Sequence, residues 1–100
     1  MKIDKLQLEL EQLLVQTGYT TRYERGTFRG NDCLIEGQKL VIINKNKPKE
    51  SQVATLAKVL RKLDIEGIFI KPLVRKELER IWDQIDLISK HSEALDEGDS

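Results

Sequence analysis

The sequence has few of the residues that most metal sites and disulfide-linked folds require. Its 100 residues include one cysteine, Cys33, and one histidine, His91. Zinc and iron sites need several cysteine, histidine or carboxylate ligands that meet at one point, so we expect no metal centre, no cofactor and no catalytic Cys–His pair. Because a single cysteine cannot form a disulfide within the chain, we expect the reducing cytoplasm to be its setting.

Long apolar runs and an excess of either charge are also lacking. No apolar run approaches the roughly 20 residues that a bilayer-spanning helix needs, so we expect no membrane segment. Lysine and arginine total 17, aspartate and glutamate total 17, and the formal net charge is zero. A balanced charge argues against a dedicated nucleic-acid binder, because the neutralisation of phosphates needs a basic surface. Gly26 and Gly30 lie between predicted strands and open no helix, so we expect no phosphate-binding glycine loop.

Apolar periodicity predicts three amphipathic helices. Leucine, isoleucine and valine recur at steps of three and four residues in each of them, which is the spacing of one helical face. Asp4 is the expected N-cap of the first helix and Gly18 its expected C-terminal stop. The three apolar stripes are Ile3, Leu6, Leu10 and Leu13; Val53, Leu56, Leu60 and Leu63; and Val74, Leu78, Ile81, Ile85 and Ile88.

The stretch between the first two helices, residues 19–45, predicts three short antiparallel strands. β-branched and aromatic residues are interrupted there by glycines, and Glu36-Gly37-Gln38 is the sharpest turn signal. Residues 40–43 are apolar at every position. This pattern is typical of a strand covered on both faces, so we expect it at the centre of the sheet. Residues 68–70 predict a short strand or an extended connector.

The predicted element order is α-β-β-β-α-(β)-α, with a small antiparallel sheet packed by helices in one α+β domain. We expect this domain to span residues 1–90. The remaining residues, 91–100, carry four carboxylates and no lysine or arginine. They are expected to be an acidic, disordered tail.

A lysine-rich loop at the start of the second helix is the first candidate site. Lys45, Lys47 and Lys49 stand at this helix N-terminus, which offers unpaired N–H groups and a partial positive charge that favour anions. The alternative is that the lysines only keep the loop soluble and protect the edge of the sheet. If the strands place them on the same side, three further cations join this anion-binding surface, namely Arg22, Arg25 and Arg29.

The third helix is the second candidate, as an interface between two chains. Its apolar stripe steps by four and three residues, which is the spacing of a coiled-coil seam. The alternative is that the stripe packs on the sheet of its own chain. Because three apolar stripes compete for a small sheet, pairing across a two-fold axis would cover the surplus apolar surface. The interface residues expected from this argument are Val74, Leu78, Ile81, Trp82, Ile85 and Ile88.

Several motifs resemble a group of small bacterial proteins of uncharacterised function. They are an arginine–glycine strand at Arg29-Gly30, an asparagine–lysine strand end at Asn44-Lys45, and a proline–x–x–arginine helix start at Pro72-Leu73-Val74-Arg75. The similarity covers most of residues 19–79. It implies a family without implying an activity.

The chain is also similar to the front half of ImmA/IrrE-type metallopeptidases, in which a Thr-Leu-Ala run leads into a His-Glu-x-x-His zinc motif. Here Thr55-Leu56-Ala57 leads into Lys58-Val59-Leu60-Arg61-Lys62. Lysines stand at both histidine positions, and a valine stands at the glutamate position. This resemblance therefore implies a related fold from which the zinc chemistry has been lost.

The function that these patterns favour is a non-enzymatic protein–protein interaction or regulatory domain that self-associates as a homodimer. The alternative is a small anion- or nucleotide-binding regulatory module that uses the 44–50 loop at a helix N-terminus. An enzyme with an unrecognised site is the third alternative. The fold class alone does not decide among these functions.

Overall fold

Three helices and a small mixed sheet form the fold. A computed structural model of the chain describes residues 1–25, 34–35, 37 and 39–98, and for residues 34–35 and 91–98 it describes the backbone alone. The elements are α1 (Ile3–Gln16), β1 (Thr20–Glu24), β2 (Leu34–Ile35), β3 (Leu40–Asn44), α2 (Lys49–Lys62) and α3 (Pro72–Gly98). The predicted α+β class is confirmed. Among the described residues, no helix has both the length and the apolar character that a bilayer span requires.

A glycine ends α1 and turns the chain toward β1. Gly18 has a φ of 90°, in the left-handed region that glycine adopts without a steric penalty. Its N–H donates to the carbonyl of Val15 at 2.9 Å, and the N–H of Tyr19 donates to the carbonyl of Leu14 at 2.9 Å. These two bonds form the Schellman pattern of helix termination, so the predicted stop is confirmed.

The starts of α1 and α2 lack side-chain caps. Lys2 is the N-cap residue of α1, so the prediction of Asp4 at this position is wrong. The helix begins earlier because Ile3 already packs against the core. Asp4 instead lies in the first turn, where its negative charge interacts favourably with the positive end of the helix dipole. Pro48 occupies the N-cap position of α2.

β3 lies at the centre of the sheet, between β1 and β2. β1 and β3 are parallel, with Thr20 opposite Leu40, whereas the two-residue β2 pairs with β3 in the antiparallel direction. The central position predicted for residues 40–43 is therefore confirmed. The prediction of a purely antiparallel sheet is wrong for β1 and β3. Residues 25–39 separate these strands, and a connection of about a dozen residues is long enough to join parallel neighbours.

One apolar core holds the helices on the sheet. α1 contacts α2 and β1, and α2 in turn contacts β3 and α3. Burial of this kind is the main favourable term in folding, because it removes apolar surface from water. The largest fully buried side chains are Leu10, Leu14, Val41, Ile43, Leu56, Leu60, Val74 and Leu78.

The first half of α3 belongs to this core. Its buried stripe residues are Val74, Leu78 and Ile81. Trp82 and Ile85 pack against them and are half-buried, whereas Ile88 is 67% exposed. The stripe thus packs within its own chain as far as Ile85, which is the alternative considered above. An interface on α3 stays a prediction, with Ile88 as the exposed member of the predicted set.

Trp82 joins α3 to α2. Its indole N–H donates to the carbonyl of Ala57 at 2.7 Å. The guanidinium of Arg61 lies 5.8 Å from the centre of the indole ring and donates to both carboxylate oxygens of Asp86, at 2.7 and 2.9 Å. This bidentate bond raises the pKa of Arg61 and lowers the pKa of Asp86. The pair is open to solvent, so it orients the helices more than it stabilises them.

Two further sequence predictions concern the segments that connect helices and strands. Residues 68–70 form no strand and belong to the connector between α2 and α3, which is the second of the two alternatives predicted for them. Cys33, Gly26, Gly30 and most of the predicted Glu36-Gly37-Gln38 turn lie outside the described residues. The predicted boundary between a domain and a tail at residue 90 stays a prediction.

Candidate binding site

A groove of about 500 Å³ opens beside the ends of β1 and β3. Because these strands are parallel, their carboxyl ends lie at the same edge of the sheet, which is where ligands commonly bind in sheets of this kind. α2 begins at this edge, and α1 runs past it. The residues that line the groove are Asp4, Gln7, Leu8 and Glu11 from α1, Tyr23 from β1, Lys45 from the loop after β3, and Lys49 and Gln52 from α2.

A chain of hydrogen bonds forms the floor of the groove. The Nε2 of Gln7 donates to the hydroxyl of Tyr23 at 2.9 Å and to the Oε1 of Gln52 at 2.8 Å. The hydroxyl of Tyr23 in turn donates to the carboxylate of Glu11. The Nε2 of Gln52 donates to the carbonyl of Lys47 at 3.0 Å, which fixes the loop before α2. The floor therefore links α1, β1 and the start of α2.

Tyr23 keeps its proton in this environment. Burial, followed by the hydrogen bond to Glu11, raises the pKa of Tyr23 well above its ordinary value. The hydroxyl therefore acts as a hydrogen-bond donor at physiological pH, and it does not supply the phenolate that a nucleophile or a general base requires.

Two buried side-chain oxygens, one of them in the groove floor, have no hydrogen-bond partner within the described part of the chain. They are the Oε1 of Gln7 and the Oγ1 of Thr21. Gln7 as a residue is 5% exposed, and its amide nitrogen already makes two hydrogen bonds. An unsatisfied buried acceptor costs about 1–3 kcal/mol, so the floor of the groove is not optimised for stability alone.

The structure brings two of the six predicted anion-binding residues together. Lys45 and Lys49 line the groove, whereas Lys47 is exposed in the loop and is not part of the lining. The ammonium of Lys49 lies 3.4 Å from the carboxylate of Asp4. With Glu11, the lining therefore carries two ammonium and two carboxylate groups.

The arginines of β1 do not join these lysines. Successive side chains of a strand point to opposite faces of the sheet, so Arg22 lies on the face opposite to that of Tyr23. The guanidinium of Arg22 is 3.4 Å from the carboxylate of Glu24 on the same face. Arg25 is exposed after the end of β1, and Arg29 lies outside the described residues.

Sequence reasoning missed the polar residues of the groove floor. Gln7 lies next to Leu6 on the buried side of α1, and Gln52 precedes Val53 on the buried side of α2. An amide within an apolar helical face was the available signal, because a buried amide needs hydrogen-bond partners. The described residues contain no group of three or more histidine, cysteine or carboxylate side chains that could hold a metal ion.

Comparisons with protein-family models, with curated proteins and with solved structures find no match to this chain. Both resemblances described from the sequence therefore stay predictions.

Proposed function

We propose that the chain is a non-enzymatic protein-interaction domain of the cytoplasm whose partner is a second copy of itself. The observation that carries this proposal is a face of α1 that exposes two apolar side chains. Leu8 and Val15 are 58% and 65% exposed, and a separation of two helical turns places them on the same face of α1. Leu8 also lines the groove, to which the edge strand β1 contributes Tyr23, so this face of α1 and β1 both border the groove.

The chemistry of the groove supports binding rather than catalysis. Two of its side chains, Gln7 and Gln52, are amides, which do not ionise at physiological pH and so do not act as general acids or bases. Tyr23 keeps its proton, and its hydroxyl is already bonded to the carboxylate of Glu11. These groups hold neighbouring elements in position, which is a structural role and not a catalytic one.

A second copy is the partner that the charge and the surface favour. The formal net charge of zero means that two copies approach without overall repulsion. A two-fold axis sets the same patch of both copies against itself, so one apolar face on α1 serves both sides of the interface. The buried part of the α3 stripe, Val74, Leu78 and Ile81, already packs within the chain and is not available to a second copy.

Sedimentation velocity over a range of concentrations tests the proposal. We expect the wild type to dimerise and the double variant Leu8→Glu, Val15→Glu to be a monomer with unchanged helicity, because both positions are exposed. The matched control is Leu87→Glu, Ile88→Glu, which charges two residues of α3 that are each 67% exposed. This control should remain a dimer.

Other outcomes contradict the proposal in different ways. A wild-type monomer at the highest attainable concentration would refute self-association. A dimer that persists in the α1 variant but dissociates in the α3 control would favour the α3 interface predicted from the sequence. Circular dichroism on the same samples separates loss of association from loss of folding.

A second candidate function is the binding of a small anion or nucleotide in the groove. It is favoured by the position of Lys45 and Lys49 at the N-terminus of α2 and by the ammonium of Lys45, which forms no ion pair with the described residues. Against it stand the carboxylates of Asp4 and Glu11, which repel a phosphate dianion from the same groove.

Thermal unfolding with phosphate or ATP distinguishes this second candidate from the first. The variants are Lys45→Ala with Lys49→Ala, and the matched control is Lys47→Ala, because Lys47 is exposed and does not line the groove. We expect no stabilisation that depends on the two groove lysines. A stabilisation that is lost in the groove variant and kept in the control would favour the anion-binding function.

A further inference from the structure

We infer that the two copies join through antiparallel pairing of β1 with β1 of the partner copy, in the register that sets Arg22 opposite Glu24. This inference rests on the proposed self-association and names the surface through which it occurs. The described strands leave one side of β1 without a neighbouring strand, because β1 lies at the edge of the sheet and pairs only with β3.

The backbone of β1 supplies the hydrogen bonds that such pairing needs. The N–H of Thr20 donates to the carbonyl of Lys39 at 2.9 Å, so every second residue from Thr20 onward bonds to β3. The N–H and C=O groups of Thr21 and Tyr23 therefore point to the other side of β1. Among the described residues, no further strand lies on that side to pair with them. An edge of this kind is a template for a further strand.

Charge selects the register. Three two-fold registers can be formed by the residues of β1, Thr20–Glu24, centred on Thr21, on Arg22 or on Tyr23. Centring on Arg22 sets two arginines directly opposite each other, which is unfavourable. Centring on Tyr23 sets Arg22 of each copy opposite Glu24 of the other, at a pair position without hydrogen bonds where side chains approach most closely. Centring on Thr21 leaves Glu24 without an opposite strand residue.

The same pairing brings the two copies of α1 together. In a two-fold pair of strands, Tyr23 of both copies lies on the same face of the joined sheet, which is the face that α1 covers. Leu8 and Tyr23 both line the groove, and Val15 lies on the same side of α1 as Leu8. Strand pairing at β1 and coverage of the apolar face of α1 are therefore parts of one interface.

Charge reversal and mixing test the inference. In Arg22→Glu and in Glu24→Arg, both cross-copy pairs become like-charged, so we expect the dissociation constant of each homodimer to rise by about tenfold. The double variant Arg22→Glu, Glu24→Arg should restore it. An equimolar mixture of the two single variants should form heterodimers, because the two glutamates of one copy then face the two arginines of the other.

Mixing the two single variants distinguishes a charge pair between copies from the charge pair within one chain. Arg22 and Glu24 also pair within one chain, and that pair stays like-charged in both components of the mixture. Recovery on mixing therefore reports contact between copies. We also expect hydrogen exchange at the amides of Thr21 and Tyr23 to slow as the protein concentration rises.

The inference and the proposed function fail in distinguishable ways. A wild-type monomer would overturn both. A wild-type dimer with unchanged affinity in the single variants, no recovery on mixing and concentration-independent exchange at Thr21 and Tyr23 would overturn pairing at β1 and leave self-association standing. A dimer protected at these two amides but indifferent to the charge reversals would overturn the register.

Discussion

The hydroxyl of Tyr23 should contribute measurably to stability, and Tyr23→Phe removes it without changing the shape of the ring. The hydroxyl accepts a hydrogen bond from Gln7 at 2.9 Å and donates one to the carboxylate of Glu11. A hydrogen bond between neutral groups contributes about 0.5–1.5 kcal/mol and one to a charged group about 1.5–3 kcal/mol. Because Tyr23 and Glu11 are only half-buried, we take the lower end of each range. The free energy of unfolding should therefore fall by about 2 kcal/mol at pH 7.

The loss should also depend on pH. Burial and the bond to Glu11 raise the pKa of Tyr23 above its ordinary value of 10.0. The unfolded chain therefore releases this proton at a lower pH than the folded protein does. The resulting stabilisation is complete below pH 10 and is lost as the pH rises above it, by at most about 1.4 kcal/mol per pH unit. Tyr23→Phe lacks this group, so the difference between the two proteins should shrink over that range.

Urea unfolding followed by the fluorescence of Trp82, the single tryptophan, measures both effects. The matched control is Tyr19→Phe, because Tyr19 is also half-buried against the core and its hydroxyl makes no hydrogen bond to the described residues. We expect the control to cost less than about 0.5 kcal/mol. Equal losses in the two variants, or a difference between wild type and Tyr23→Phe that stays constant above pH 10, would refute the role assigned to the hydroxyl.

Three further predictions concern the core, the helix ends and metal content. Gly18→Ala should lower the free energy of unfolding by about 1–2 kcal/mol because of the left-handed φ. Gly67→Ala should change it by less than about 0.5 kcal/mol, because the added Cβ would meet no atom within 4 Å, and equal effects of the two variants would contradict this explanation. Leu78→Ala should lower the free energy of unfolding by about 3–5 kcal/mol, because Leu78 is fully buried. Leu87→Ala, at an exposed position, should lower it by less than about 0.5 kcal/mol, and an equally small effect at Leu78 would place that residue outside the core. Elemental analysis of protein purified without chelator should show well under one equivalent of transition metal.

Periodicity predicted the elements of this fold better than it predicted their pairing. The stop at Gly18 and the central position of β3 followed from local chemistry, namely the freedom of glycine at positive φ and an unbroken apolar run. The direction of β1 relative to β3 did not follow, because alternation along a strand is the same for parallel and antiparallel neighbours. Only the length of the connection, residues 25–39, indicated that β1 and β3 could be parallel.

The candidate site was predictable only in part, for a related reason. Lys45 and Lys49 were found because a charged loop before a helix is visible in the sequence. Gln7 and Gln52 were not found, since their 45-residue separation hides the contact between their side chains. The stripe of α3 had the spacing of an interface, but the same spacing describes a helix that packs on its own core, and Leu78 is fully buried there.

The distance along the chain between α1 and α2 has a consequence for synthesis on the ribosome. The bond from Gln7 to Gln52 spans 45 residues, so α1 leaves the ribosome well before its main helical neighbour exists. At about 5–20 residues per second, this delay lasts roughly 2–9 s. A helix of 14 residues is marginally stable alone, so the nascent segment exposes Leu6, Leu10 and Leu14 during that time. The nascent chain is therefore most open to chaperone binding and to aggregation before α2 emerges.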